Sequence, residues 1–133
     1  MHNDLMRPDI TLGNAEHRKL LILAMTGQGH TAEDSDYLNY ELDRARVVPD
    51  RDVSRDTVRI GSVVTYLSGG RLRTVELAYD RDADEPSSRI SVLSPVGAAL
   101  VGLRRGQSIT RVGRDGDFCT FTVLSVEPPS STK

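Results

Sequence analysis

The chain changes its hydrophobic period at Pro49-Asp50-Arg51-Asp52, and that change limits the folds open to it. Upstream, apolar residues recur at helical spacing. Leu20, Leu21, Leu23 and Ala24 follow a candidate N-cap at Asn14, and Leu38, Leu42 and Ala45 follow a candidate cap at Asp34 or Ser35. Gly27 and Gly29 stop the first helix, and Pro49 disfavours helical geometry at Val48 and closes the second. Two helices of about twelve residues, each roughly 18 Å long, should pair as an antiparallel hairpin across a loop of about ten residues. Residues 1–13, polar and broken by Pro8 and Gly13, are expected to fray.

Downstream, β-branched residues and turn signals dominate. Val63 to Leu67, Ser68-Gly69-Gly70, then Arg71 to Tyr79 reads as a hairpin, with Val75, Leu77 and Tyr79 on one face. Asp80 to Ser88 is an acidic loop, and Arg89 to Leu93 a further strand. Ser94 to Gly102 carries helix punctuation, with Ser94 at N-cap, Pro95 at N1 and Gly102 at C′. Ser108 to Val112 and Phe118 to Val126 finish the sheet around a turn at 113–116, and broken alternation at Val123, Leu124 and Val126 admits a bulge or a register change. The expected organisation is a helical hairpin over 1–52 and a sheet domain over 53–133, an α+β chain.

Composition narrows the functions. A net charge of −2 argues against a general nucleic-acid binder. Aromatic residues at 5% without tryptophan supply an RNA-stacking platform poorly. Arg104, Arg105, Arg111 and Arg114 read as solvated surface charge. The single Cys119, in a strand-like run, reads as a buried structural thiol. His2, His17 and His30 are too scattered for a zinc motif. Glu33, Asp34 and Asp36 beside His30 suit the positive end of a helix better than a metal. Nucleophile elbows, P-loops and dinucleotide fingerprints are absent, so no catalytic residue, metal or cofactor is expected. No apolar run approaches the roughly 18–20 residues that span a bilayer. Met1 to Leu5 lacks the parts of a signal peptide, and a cytoplasmic location is expected.

Ser91 to Ile109, with its Ser-Pro-Val-Gly-x-Ala-Leu-x-Gly element, resembles the C-terminal domain of the bacterial Gre transcript-cleavage factors. The chain is more similar still to the family called regulator of nucleoside diphosphate kinase. Tyr40 to Ala45, Ser62-Val63, Leu77-Ala78-Tyr79 and Pro95 to Gly106 carry that likeness, which spans roughly residues 37 to 128. Asp80 stands where that family usually has proline, and Glu127-Pro128-Pro129 departs from its usual ending.

The resemblance implies an FKBP-like antiparallel sheet with one short helix, bearing a short coiled coil. It implies docking on bacterial RNA polymerase at the rim of the secondary channel through Ser94, Pro95, Val96 and Gly97. Gre factors hold a metal with acids at the tip of a long coiled coil. Here the corresponding acids are Glu33, Asp34 and Asp36, on a hairpin of roughly 18 Å, too short to reach a buried catalytic centre. The implied role is competition with Gre-type factors without transcript cleavage. A monomer without membrane or sequence-specific nucleic-acid contacts is expected. The alternatives are an FKBP-like prolyl isomerase, for which the chain offers few aromatics, and an adaptor acting on nucleoside diphosphate kinase.

Overall fold

The computed structural model describes residues 7–26, 31–79, 88–112 and 116–129. Strand β1 (Thr11–Gly13) leads into α1 (Asn14–Thr26) and α2 (Ala32–Arg44). Strand β2 (Arg46–Val48) and a 3-10 turn (Asp50–Asp52) follow, then β3 (Val63–Ser68), β4 (Arg71–Ala78) and β5 (Arg89–Ser91). Helix α3 (Pro95–Leu100), β6 (Ser108–Val112) and β7 (Phe118–Glu127) complete the order. The fold is α+β, as the change of period predicts.

Five strands form one sheet in the order β5-β4-β3-β7-β6. Neighbours are antiparallel except β5, which joins β4 in parallel through the pairs Glu76–Arg89, Leu77–Ile90 and Ala78–Ser91. An all-antiparallel sheet is therefore wrong at this edge. A tight turn closes strands antiparallel, whereas the sequence leaves ten residues between Ala78 and Arg89, and parallel pairing needs a longer connection of this kind. Gly69 and Gly70, at φ 58 and 77, supply the left-handed pair that closes β3 on β4. A bulge is present. Tyr66 pairs with Val123 while Thr65 pairs with Ser125, which leaves Leu124 as the extra residue.

Residues 10–13 do not fray. Ile10 and Leu12 are buried, and β1 pairs in parallel with β2, so the ends of the hairpin are tied together at its base. Ile10 packs on the Cα of Gly102, whose φ of +85 and missing side chain leave room for it. The backbone N–H of Thr11 reaches the Gly102 carbonyl at 3.2 Å. One continuous core results, joining Leu12, Leu20, Leu38 and Leu42 of the N-terminal part to Val64, Leu77, Leu100 and Phe121.

Both helix caps differ from expectation. Asn14 lies inside α1, and the Asp50 carboxylate accepts from the Ala15 N–H at 3.0 and 3.3 Å. Thr31, not Asp34 or Ser35, caps α2, its hydroxyl accepting from the Asp34 N–H at 3.1 Å. In each case a nearby oxygen satisfies a helix N–H that has no intrahelical partner. Cys119 is exposed rather than buried. The pairing of β7 with β3 stops at Thr122, so β7 runs on past it with only β6 alongside. The turn at 113–115, the acidic loop at 80–87, and Gly27, Gly29 and His30 lie outside the described residues.

Candidate functional site

The loop from Ser91 to Gly97 is built by its own polar atoms. The Ser91 carbonyl accepts from the Ser94 N–H at 3.0 Å and from the Ser94 hydroxyl at 2.6 Å. The Ser94 Oγ in turn accepts from the Gly97 N–H at 3.1 Å, which makes it the N-cap of α3. The Ser91 hydroxyl accepts from the Leu93 N–H at 2.9 Å. Gly97 is buried, and a Cβ there would collide with the Ser91 backbone. That close approach is what the glycine of the Ser-Pro element provides. Of the four expected docking residues, Ser94 and Gly97 therefore shape the loop. Pro95 is exposed at its front and Val96 is half-buried against the core.

The three expected hairpin-tip acids open α2. Glu33 and Asp34 occupy its first turn, where the helix dipole favours negative charge, and Asp36 is exposed beside them. The next residue, Tyr37, carries the contact that joins tip and loop. The Arg111 guanidinium lies 3.9 Å from the centroid of the Tyr37 ring. Its Nη1 also donates to the Pro95 carbonyl at 2.8 Å. Solvated surface charge is thus the wrong description of Arg111. Its β6 position places it where α2 and α3 meet, and a flat guanidinium can stack and donate at once.

Behind Tyr37 stands a second polar cluster. Glu41 is fully buried, and both Nε and Nη2 of Arg44 approach its Oε1, at 3.0 and 2.8 Å. Arg7 stands 4.0 Å from its other oxygen. Arg44 Nη1 donates to the Pro8 carbonyl at 2.8 Å, tying the N-terminal segment to the hairpin. Burial pushes the Tyr37 phenol far above its usual range, and the Glu41 charge adds to the effect, so the ring stays neutral. The Tyr40-Glu41-Leu42-Asp43-Arg44 element is therefore an ion-pair and core motif: Leu42 fills the core while Glu41 holds Arg44.

A third contact fixes α1. The Glu16 carboxylate accepts from the Ile60 N–H at 2.8 Å, and His17 Nε2 donates to the Leu42 carbonyl at 2.9 Å. Burial raises the Glu16 pKa above its ordinary value, only partly offset by the Ile60 hydrogen bond and the Arg59 charge.

Among the described residues no three His, Cys, Asp or Glu side chains stand together as metal ligands. A groove of about 560 Å³ beside β2 is lined by Thr11, Arg46, Asp52, Thr57 and Arg104 among others, with no aromatic residue. A prolyl-isomerase pocket needs an apolar, aromatic lining, and this groove lacks one. No helix among the described residues is long and apolar enough to cross a membrane.

Residues 53–128 match the family model of the transcription elongation factor GreA/GreB C-terminal domain. The chain belongs to the GreA/GreB family. It is 35% identical over 107 residues to the regulator of nucleoside diphosphate kinase of Escherichia coli K12, covering 79% of each chain. It is also 32% identical over 131 residues to a transcription elongation factor GreA of Chelativorans sp., covering 91% of this chain and 83% of that one. Among solved structures it is similar to a prokaryotic GreA/GreB elongation factor from Nitrosomonas europaea. That likeness has a TM-score of 0.69 at 28% identity, with 91% of this chain and 99% of the other covered. The family model ends inside the Glu127-Pro128-Pro129 segment and contains the whole Ser94–Gly97 loop. Arg111 falls inside it too, whereas its partner Tyr37 falls outside.

Proposed function

We propose that this protein is a regulator that docks on bacterial RNA polymerase near its secondary channel and competes there with Gre-type factors. The observation that carries the reading is the Ser94–Gly97 loop within the family-matched segment. Its proline is exposed, and its backbone is held by the Ser91–Ser94–Gly97 hydrogen bonds. A surface already fixed in its bound shape loses little entropy on docking. In this reading the 53–133 part is an FKBP-like docking module, and the 1–52 part carries the hairpin.

The same reading makes the protein a competitor and not a cleavage factor. Helix α2 runs only from Ala32 to Asp36 beyond the residue gripped by Arg111. At 1.5 Å per residue that is about 8 Å of helix. Acids on so short a projection stay at the channel mouth. Any effect on nucleoside diphosphate kinase then follows from altered transcription.

The test is equilibrium binding of the purified protein to core RNA polymerase, with a Gre factor as competitor. Saturable binding, displaced by the competitor and weakened at least tenfold by Pro95→Glu, is expected. Absence of saturable binding at micromolar concentration refutes the docking. Restored RNA cleavage by a backtracked polymerase would refute the reach argument alone.

A further inference from the structure

We infer that Arg111 is a positioning residue that locks the hairpin and the Pro95 loop at one fixed angle, so that the two meet a partner as a single rigid face. The inference rests on the polymerase-docking reading for its partner, but its geometry stands without it. Arg111 lies on β6, the edge strand of the sheet, where an arginine ordinarily reaches into water. Here it is half-buried, stacked on Tyr37 of α2 and hydrogen-bonded to the first carbonyl of α3. From β6, one side chain thus touches two other elements, α2 and α3.

A second polar chain starts on the same helix beyond Tyr37. Glu41 lies one helical turn on from it, and through Arg44 the hold extends to the Pro8 carbonyl. The strap is the Pro95–Arg111–Tyr37 link, and the separate Glu41–Arg44–Pro8 chain ties the same helix to the N-terminal segment. An arginine suits the central place because its planar head stacks and donates in one geometry, which a lysine cannot reproduce. Without the strap, α2 still packs on its core leucines but loses the polar link between Tyr37 and the Pro95 carbonyl. The face would then be presented over a range of angles, and only a fraction of molecules would fit the partner.

Spin labels at Ile22→Cys on α1 and Leu72→Cys on β4, both exposed positions, report the hairpin angle in a Cys119→Ser background. A narrow distance distribution is expected for the parent and for Tyr37→Phe, which keeps the ring. Arg111→Ala, Arg111→Lys and Tyr37→Ala should broaden it while circular dichroism stays unchanged. In parallel, the concentration that displaces a Gre factor from core polymerase should rise at least tenfold for Arg111→Ala and less than twofold for Tyr37→Phe. If Arg111→Ala does not fold, Arg111→Lys and Tyr37→Ala carry the comparison.

An unchanged distance distribution in the Arg111 variants overturns the inference, whatever the polymerase assay gives. Broadened distances with undiminished displacement overturn it as well, because the angle would then not matter for docking. Broadened distances together with a parent that never binds polymerase would sink the functional reading and support the strap on its own.

Discussion

Replacing Gly97 with alanine tests how the Ser94–Gly97 loop is held. A Cβ at 97 would stand 2.9 Å from the Ser91 carbonyl carbon and 2.9 Å from the Val92 Cα, and closer still to the Ser91 oxygen. All three are backbone atoms and cannot rotate away. Overpacking of this kind costs about 1–3 kcal/mol, and rigid neighbours place it near the upper end. Retreat of α3 would also part the Ser94 hydroxyl from the Ser91 carbonyl and weaken a cap worth about 1 kcal/mol. The better helix propensity of alanine returns about 1 kcal/mol. The net loss is therefore about 3 kcal/mol, or roughly 10 °C in melting temperature for a chain of this size. Gly106→Ala is the matched control. Its φ is +91 but nothing lies within 4 Å of the added methyl, so only left-handed strain of about 1–2 kcal/mol applies. Thermal unfolding of both variants beside the parent decides the matter. If Gly97→Ala melts at or above Gly106→Ala, the close helix–loop approach does not constrain this loop and the argument fails.

Glu41→Ala should cost about 3 kcal/mol in urea unfolding, because it leaves Arg44 without the partner that balances its partial burial. A loss under about 1 kcal/mol would mean that solvent satisfies Arg44. The raised pKa of Glu16 makes its ionisation a cost to the folded state. Its contribution is therefore full below the unfolded carboxyl pKa and declines as pH rises through the higher folded value. Glu16→Gln keeps an oxygen for the Ile60 N–H, and it should flatten the stability difference between pH 5 and pH 8 seen in the parent. An equally steep profile in the variant would assign the pH dependence to other groups. Thr31→Ala removes the α2 cap, worth about 1 kcal/mol, and should speed hydrogen exchange in its first turn about fivefold. Unchanged exchange at Asp34 would show that the cap adds no local stability.

What the sequence discloses here is local in origin. The α3 boundaries follow from Ser94, Pro95 and Gly102 within nine residues of chain, and all three occupy the expected positions. Gly69-Gly70 marks its turn for the same reason. The features that escape are long-range. Asp50 caps a helix 35 residues upstream, and no spacing rule pairs it with Ala15. β1 and β2 are three residues each and pair in parallel across the hairpin, too short for an alternating pattern to register. Cys119 looks like a core strand residue until one knows where β3 stops. Arg111 looks like any surface arginine, because its role depends on Tyr37 and Pro95, which only the folded chain brings beside it. Within the site, the loop residues were legible by punctuation and family likeness. The strap that connects them to the hairpin was not.

The grip at Tyr37 has a consequence for how such a protein can diverge. Among the described residues, the polar side-chain contacts that seat the hairpin are made by Glu16, His17, Tyr37 and Arg44, while Ile22 and Met25 stay exposed on α1. Seven-residue units added to both helices between Thr26 and Ala32 would extend the arm by roughly 10 Å apiece. None of the seating contacts would change. Arm length is thus a free variable of the architecture: a lineage can trade a doorstop for a probe by insertion alone, leaving the base that holds it untouched.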